Sequence, residues 1–153
     1  MGYDPFAPSI ARAQAEAQVA GLAGHVRYIV HDATRELPER YDVIFSFDAA
    51  HHATNVLDYL RTIRTALNPG GIFVCSEAAT ADTLEGNIGP GGAITYASSV
   101  FVCVPQVLSE SDVALGNAGL PFSKMRDLCA QAGFGELRLV PLEGAANNLY
   151  EIK

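Results

Sequence analysis

The chain has 153 residues, 49% of them hydrophobic and 18% charged, and a formal net charge of −7. With an isoelectric point near 4.9, it lacks the clustered Lys and Arg that a phosphate backbone or an anionic membrane surface requires. The composition therefore speaks against nucleic acid and membrane partners and for a small neutral or cationic ligand. It fits one globular domain over residues 1–153, without linker or internal repeat.

Cys75, Cys103 and Cys129 are odd in number and widely spaced. No C-x-x-C pair occurs, so neither a disulfide framework nor a metal site is expected. They read as small buried hydrophobes in a reducing, cytoplasmic setting. Neither a basic n-region nor an apolar h-region stands at the N-terminus, so no signal peptide is expected.

"GYDPF" places an acidic residue, Asp4, at a strand tip directly before a helix. Pro8 suits that helix's first turn, and Ile10, Ala13, Ala17 and Ala20 follow at helical spacing up to a Gly21/Gly24 stop. "HVRYIVHD", His25 to Asp32, is β-branched and aromatic and predicts a strand, and "RELPER" a turn. "YDVIFSF", Tyr41 to Phe47, is a near-continuous apolar run, the pattern of a strand covered on both faces.

Asn55 is a competent N-cap, and Val56, Leu57, Leu60, Ile63 and Leu67 keep the 3.6-residue period of a helix. "NPGG" ends it, and "IFVCSE", Ile72 to Glu77, is the next buried strand. Residues 78–122 break this alternation with a Gly/Pro-rich bend and the run "AITYASSVFVCV", about half a bilayer-spanning length. They read as an inserted cap of one or two helices. "FSKMRDLCAQAGF" predicts a further helix with Ser123 as N-cap and Gly133 as stop. "ELRLVPLE" and "NNLYEIK" then alternate with period two around "GAANN", a terminal β-hairpin. The order selects an α/β, doubly wound, Rossmann-like sheet.

Asp4, Asp32 and Asp48 all stand at strand ends, where open parallel sheets bind ligands. A carboxylate at such a tip can share its two oxygens between the ribose hydroxyls of an adenosine-containing cofactor. Each Asp could equally cap the turn that follows it. His51 and His52 come after the strand Tyr41–Phe47, and either could serve as a general base or as a polar support. Glu77 could touch substrate or cap the insert. Tyr96, Phe101, Val102 and Val107 could line a pocket or a subunit contact, with core packing the favoured reading.

These segments together resemble the class I S-adenosylmethionine-dependent methyltransferases. "GYDPFAPSIARAQ" is similar to their second strand and helix, "VRYIVHDATRELP" to the third strand, and "YDVIFSFDAAHHATN" to the fourth strand and its loop. "LRTIRTALNPGGIFVCSE" resembles the helix and strand around their Leu-x-Pro-Gly-Gly element, and Phe122–Lys153 their last helix and hairpin. The resemblance implies S-adenosylmethionine as cofactor, with Asp4, Pro5, Phe6, Asp32, Ala33, Phe47 and Asp48 around it. It further implies methyl transfer to a small-molecule acceptor, with His51 and His52 as the catalytic candidates.

The insert resembles the cap of a bacterial group in which a winged helix often precedes this domain. The family's Gly-rich fingerprint should lie some twenty residues before Asp4, and no such residues precede it here. The expectation is therefore an N-terminally truncated domain that lacks the central first strand. Its cofactor binding would be impaired, or it would be a non-catalytic protein acting in assembly. The gap would be filled by the strand at Asp4 closing on Tyr41–Phe47 or by a homodimer with exchanged segments. A nicotinamide-dinucleotide protein shares the ribose carboxylate, but the hairpin and "NPGG" disfavour it.

Overall fold

The computed structural model describes all residues from Met1 to Lys153 and divides into two compact units, Met1–Leu37 and Pro38–Lys153. The first unit is one βαβ motif. Strand β1 (Gly2–Asp4) leads into helix α1 (Ala7–Val19), and β2 (Tyr28–Val30) returns parallel to β1 with Asp4 opposite Val30. Pro8 sits in the first turn of α1, where its missing N–H costs nothing. Ile10 and Ala17 are buried, while Val19 and Ala20 face solvent.

The strand expected over His25–Asp32 is shorter. Leu22 carbonyl accepts from both His25 and Val26 N–H, a turn that holds this stretch out of the ladder until Tyr28.

The second unit is built on a four-stranded mixed sheet in the order β3–β4–β6–β5. Strand β3 (Tyr41–Phe47) lies parallel to β4 (Leu67–Ala78). Strands β6 (Asn147–Ile152) and β5 (Leu137–Val140) complete the sheet antiparallel, as the expected terminal hairpin. Helix α2 (Val56–Ala66) connects β3 to β4. Asn55 caps it by accepting the Asp58 N–H at 3.2 Å. Val56, Tyr59, Leu60, Ile63 and Ala66 form its buried face, spaced as a 3.6-residue period requires.

The helix ends at Ala66. Leu67, expected in the helix, instead opens β4, which bulges at "NPGG": opposite Tyr41 and Val43 the register jumps from Leu67 to Ile72, with Gly70 at φ 80°. Gly71 is a close approach, since a Cβ there would stand 3.0–3.1 Å from three backbone carbonyl oxygens.

The core lies between this sheet, α2 and helix α5 (Phe122–Gln131). Leu60, Phe73, Cys75, Met125, Cys129, Tyr150 and Ile152 are essentially inaccessible. Each large apolar side chain buried this way contributes about 1.5–3 kcal/mol. The Phe73 ring meets Tyr59 edge-on and stacks against Phe134, with centroids 6.5 and 6.3 Å apart. Arg64 ties α2 to the end of α5 by donating from Nε to the Gly133 carbonyl, and its guanidinium lies over the Phe134 ring.

Several expectations are corrected here. Within its own unit β1 pairs with β2 alone, and β3 pairs with β4 alone. Strand β3 is not covered on both faces, because Val43, Phe45 and Phe47 are exposed while Ile44 and Ser46 turn toward α2. Ser123 lies inside α5, whose N-cap is Pro121, and its hydroxyl instead donates to Asp82. Gly133 does stop the helix, at φ 92°, with Gly133 and Phe134 N–H bonded to the carbonyls of Ala130 and Cys129.

The insert holds helices α3 (Pro90–Ser98) and α4 (Val104–Leu108), joined by a π-helical turn over Ser99–Cys103. Pro105 has no N–H to donate, and its ring would strike the carbonyl of Phe101 in a regular helix. The wider π turn relieves this. The run from Pro90 to Leu108 is 19 residues long, and by length and composition it could cross a membrane; 17% of its apolar window is buried. Val107 packs inside, but Phe101 and Val102 are exposed, so the packing expected of them is not found.

Burial pushes the Tyr59 hydroxyl and the Cys129 thiol up to about 12. Their ordinary values are 10.0 and 9.0, so the unfolded chain loses these protons first. Both groups therefore support the fold fully below pH 9, and that support drains as pH climbs toward 12. Melting temperature is expected to fall steadily above pH 9, and Tyr59→Phe to flatten the part of the slope above pH 10. A pH-independent melting temperature up to pH 11 would contradict this.

Candidate active site

Beyond the carboxyl end of β3 the chain makes a tight corner. Asp48 takes φ 48°, a left-handed conformation that Asp tolerates better than most residues. Its N–H bonds the Ser76 carbonyl at 2.8 Å, so the corner is pinned to β4. Both Asp48 carboxylate oxygens accept from Asn147 Nδ2, at 2.8 and 2.9 Å, and so bind the start of β6. A single 3-10 turn, Ala50–His52, follows and carries both histidines.

Glu77, near the end of β4, is 1% exposed and faces this turn. One carboxylate oxygen, Oε1, accepts the Ala50 N–H at 2.8 Å, and Oε2 lies 2.5 Å from His51 Nδ1. His51 is 2% exposed. A buried carboxylate on one ring nitrogen fixes the tautomer, because Nδ1–H must donate to it. Nε2 is then left with its lone pair, the arrangement of a base held by an orienting acid. The His52 ring lies against that of His51, with centroids 4.2 Å apart. Burial holds the His52 imidazole below its ordinary range and His51 adds to this, against the opposite pull of Glu77 and Asp48. His52 Nδ1 is buried without a hydrogen-bond partner.

Cys103, from the π turn of the insert, joins the two histidines. One donor atom from each of the three lies within 4.8 Å of the others. No spacing signal in the sequence could have placed a cysteine of the insert here. Glu77 is different. A carboxylate inside an apolar β-run is costly unless paired, and that cost was the available signal for its role.

In the first unit, Asp4 ends β1 and Asp32 stands two residues beyond β2, its parallel neighbour. Asp4 Oδ1 accepts the Phe6 N–H at 2.7 Å. Pro5 and Phe6 are exposed beside it. Asp32 Oδ1 accepts from the Thr34 N–H and hydroxyl at 3.0 and 2.6 Å, and Oδ2 pairs with Arg35 at 3.1 Å. Burial pushes the Asp32 carboxyl up, but the two Thr34 bonds with Arg35 and His31 outweigh it and leave it below its usual range. Ala33, the neighbouring candidate, is half-buried, and Phe47 is 64% exposed at the end of β3. The acidic pair Asp4 and Asp32 thus belongs to one unit, and His51, His52, Phe47 and Asp48 to the other.

Comparison with known proteins agrees with the motif reading. A family profile described as a methyltransferase domain matches residues 1–73. The ubiquinone biosynthesis O-methyltransferase of Cereibacter sphaeroides is 33% identical over 76 residues, which are 50% of this chain and 31% of that protein. That of Methylobacterium nodulans is 35% identical over 72 residues, 47% of this chain and 29% of the relative. The chain spans about a third of the length of these curated relatives.

Among solved structures, an O-methyltransferase family protein from Burkholderia thailandensis superposes with a TM-score of 0.73 at 16% identity, covering 99% of this chain and 42% of the other. An O-methyltransferase from neocarzinostatin biosynthesis was solved with S-adenosylmethionine and 2-hydroxy-5-methyl naphthoic acid. It gives a TM-score of 0.70 at 18% identity, over 98% of this chain and 39% of that one. At these identities the structural likeness speaks for the fold.

Proposed function

We propose, for a chain that belongs to the class I S-adenosylmethionine-dependent methyltransferases, that it serves methyl transfer to a hydroxyl of a small aromatic acceptor. The observation that carries this reading is the buried Glu77–His51 contact of 2.5 Å, with Glu77 fixed in turn by the Ala50 N–H. A hydroxyl acceptor must lose its proton as its oxygen is alkylated. His51 Nε2, freed by the Nδ1–Glu77 contact, takes that proton, and burial keeps water from competing for it. The aromatic class rests on the names of the relatives and on the naphthoic acid bound by one structural neighbour.

Among the residues expected around the cofactor, Asp4 is the best placed to hold it: it ends β1, its Oδ1 accepts the Phe6 N–H, and its carboxylate keeps acceptor capacity for ribose hydroxyls. Bound S-adenosylmethionine supplies a sulfonium methyl that is already activated. The chain's own task is then to align the acceptor, exclude water and hold the proton. Both Asp32 oxygens are engaged, by Thr34 and by Arg35, so ribose binding falls to Asp4, with Asp32 toward the adenine edge.

Calorimetric titration of the chain with S-adenosylmethionine tests the cofactor assignment. Asp4→Asn is expected to weaken binding about tenfold or more, the worth of a hydrogen bond to a charged group. Methyl transfer from labelled cofactor to a panel of phenols and naphthols tests the acceptor class. Absence of cofactor binding, or equal binding by Asp4→Asn, would remove the assignment of Asp4. Transfer to amines or thiols alone would remove the hydroxyl acceptor.

A further inference from the structure

We propose that His51, His52 and Cys103 form a binding site for a thiophilic divalent cation, Zn²⁺ in the first place, with the fourth coordination position left to a water or an acceptor atom. Three observations converge on it. The first is proximity. One donor atom from each residue lies within 4.8 Å of the other two, and a tetrahedral zinc ion needs such atoms about 3.3–3.6 Å apart given Zn–N of about 2.0–2.1 Å and Zn–S of about 2.3 Å. Binding would draw these atoms together by at most about 1.2–1.5 Å.

The second is the support behind the cluster. A metal-bound histidine nearly always gives its other ring N–H to a carboxylate or carbonyl, which orients the ring and strengthens it as a ligand. His51 has that partner in Glu77, at 2.5 Å and almost wholly buried, so Nε2 is the nitrogen that remains for an ion. The third is the unpartnered Nδ1 of His52, a buried polar atom with no hydrogen bond in the chain. A buried group left unsatisfied destabilises the site, and an ion bound by the His52 ring is one way for that nitrogen to gain a partner.

The donor set decides the class of ion. Two imidazoles and a thiol disfavour Mg²⁺ and Ca²⁺, which seek oxygen, and suit Zn²⁺ or Co²⁺. Three protein ligands leave a coordination position free, as in zinc sites that activate a bound molecule rather than ones that only brace a fold. The ion would occupy the same Nε2 that the methyl-transfer reading assigns to the acceptor proton, so a loaded site and a free base exclude each other. The cation site does not rest on that reading, because it is tested without cofactor or acceptor.

The probe is Co²⁺ added to the whole metal-stripped chain, read by its visible absorption. Binding of one ion per chain, with the intense bands of tetrahedral cobalt, a thiolate charge-transfer band and displacement by Zn²⁺, is the expected result. Cys103→Ala is expected to abolish the charge-transfer band, and Glu77→Gln to weaken binding about 10–100-fold. Weak pink octahedral spectra, no thiolate band in the unmodified chain, or Cys103→Ala indistinguishable from it would overturn the site. Because the unmodified chain alone gives a decisive spectrum, a variant that fails to fold leaves the test intact. Loss of S-adenosylmethionine binding, by contrast, would leave this result untouched.

Discussion

Replacing Glu77 with glutamine is expected to slow methyl transfer by about 10²–10⁴-fold, the range by which a positioned proton acceptor contributes, while cofactor affinity stays near that of the unmodified chain. Glutamine has the shape of glutamate but a different pattern of donors. Its carbonyl oxygen can still accept the Ala50 N–H that Oε1 accepts now. The other arm then presents an amide N–H to His51 Nδ1 where a carboxylate oxygen stood. Nδ1 must turn from donor to acceptor, and the ring proton moves to Nε2, the atom that should be empty. A histidine protonated there cannot take a proton from the acceptor.

Glutamate is thus a positioning residue, and three readouts separate this role from a structural one. The loss should fall on kcat rather than KM. Cofactor affinity should stay unchanged. Glu77→Asp should recover part of the rate if the shorter carboxylate still reaches Nδ1. Glu77→Ala is the harsher change, because it strands two buried partners at about 1–3 kcal/mol each. Full kcat in Glu77→Gln, or a loss confined to KM, would dismiss the Glu77–His51 pair as the proton acceptor.

What could be read in advance divides along physical lines. Periodicity and run length reveal structure local to the chain, so β3 was placed residue for residue and the Asn55 cap of α2 was found with it. Propensity alone misled where tertiary context intervened. Ser123 is a good capping residue, but Pro121 enters α5 first, and the Ser123 hydroxyl turns to Asp82 from the distant insert. The apolar run of β3 suggested two covered faces, yet Val43, Phe45 and Phe47 are exposed.

The site was legible only in part. His51 and His52 could be singled out from their place after a strand, as could Asp4 and Asp32. The contacts that give them chemistry join residues far apart in the chain: Glu77 to His51, Asn147 to Asp48, Cys103 to both histidines. Spacing carries no trace of such pairs. The only local hint was the cost of a lone carboxylate in a buried strand, which demands a partner without naming it.

The same strand sets the largest expected effect on stability. Phe73→Ala is expected to destabilise the chain by about 3–5 kcal/mol, against a total of about 5–15 kcal/mol for an ordinary domain. Phe73 is inaccessible to solvent, sits opposite Ile152 in the β4–β6 ladder, and joins the Tyr59 and Phe134 rings into one aromatic cluster. Its truncation leaves a cavity at the point where α2, the end of α5 and the sheet converge. That cavity cannot collapse easily, because Arg64 fixes α2 to the Gly133 carbonyl and Tyr59 is tied to Ser46 of β3 by a 3.0 Å hydroxyl bond.

Phe73→Leu keeps most of the volume and should cost far less, which separates loss of packing from loss of an aromatic contact. Chemical denaturation of the three chains measures it. The midpoint should drop sharply for alanine and modestly for leucine, with an unchanged slope. The consequence reaches the site, since Phe73, Cys75 and Glu77 alternate with Val74 and Ser76 along one strand and share one face of the sheet. A β4 loosened at Phe73 carries Glu77 with it, so Phe73→Ala should also lower the kcat of methyl transfer at denaturant concentrations well below its unfolding midpoint. An alanine variant with an unshifted midpoint would show that the aromatic cluster is not the centre of this core.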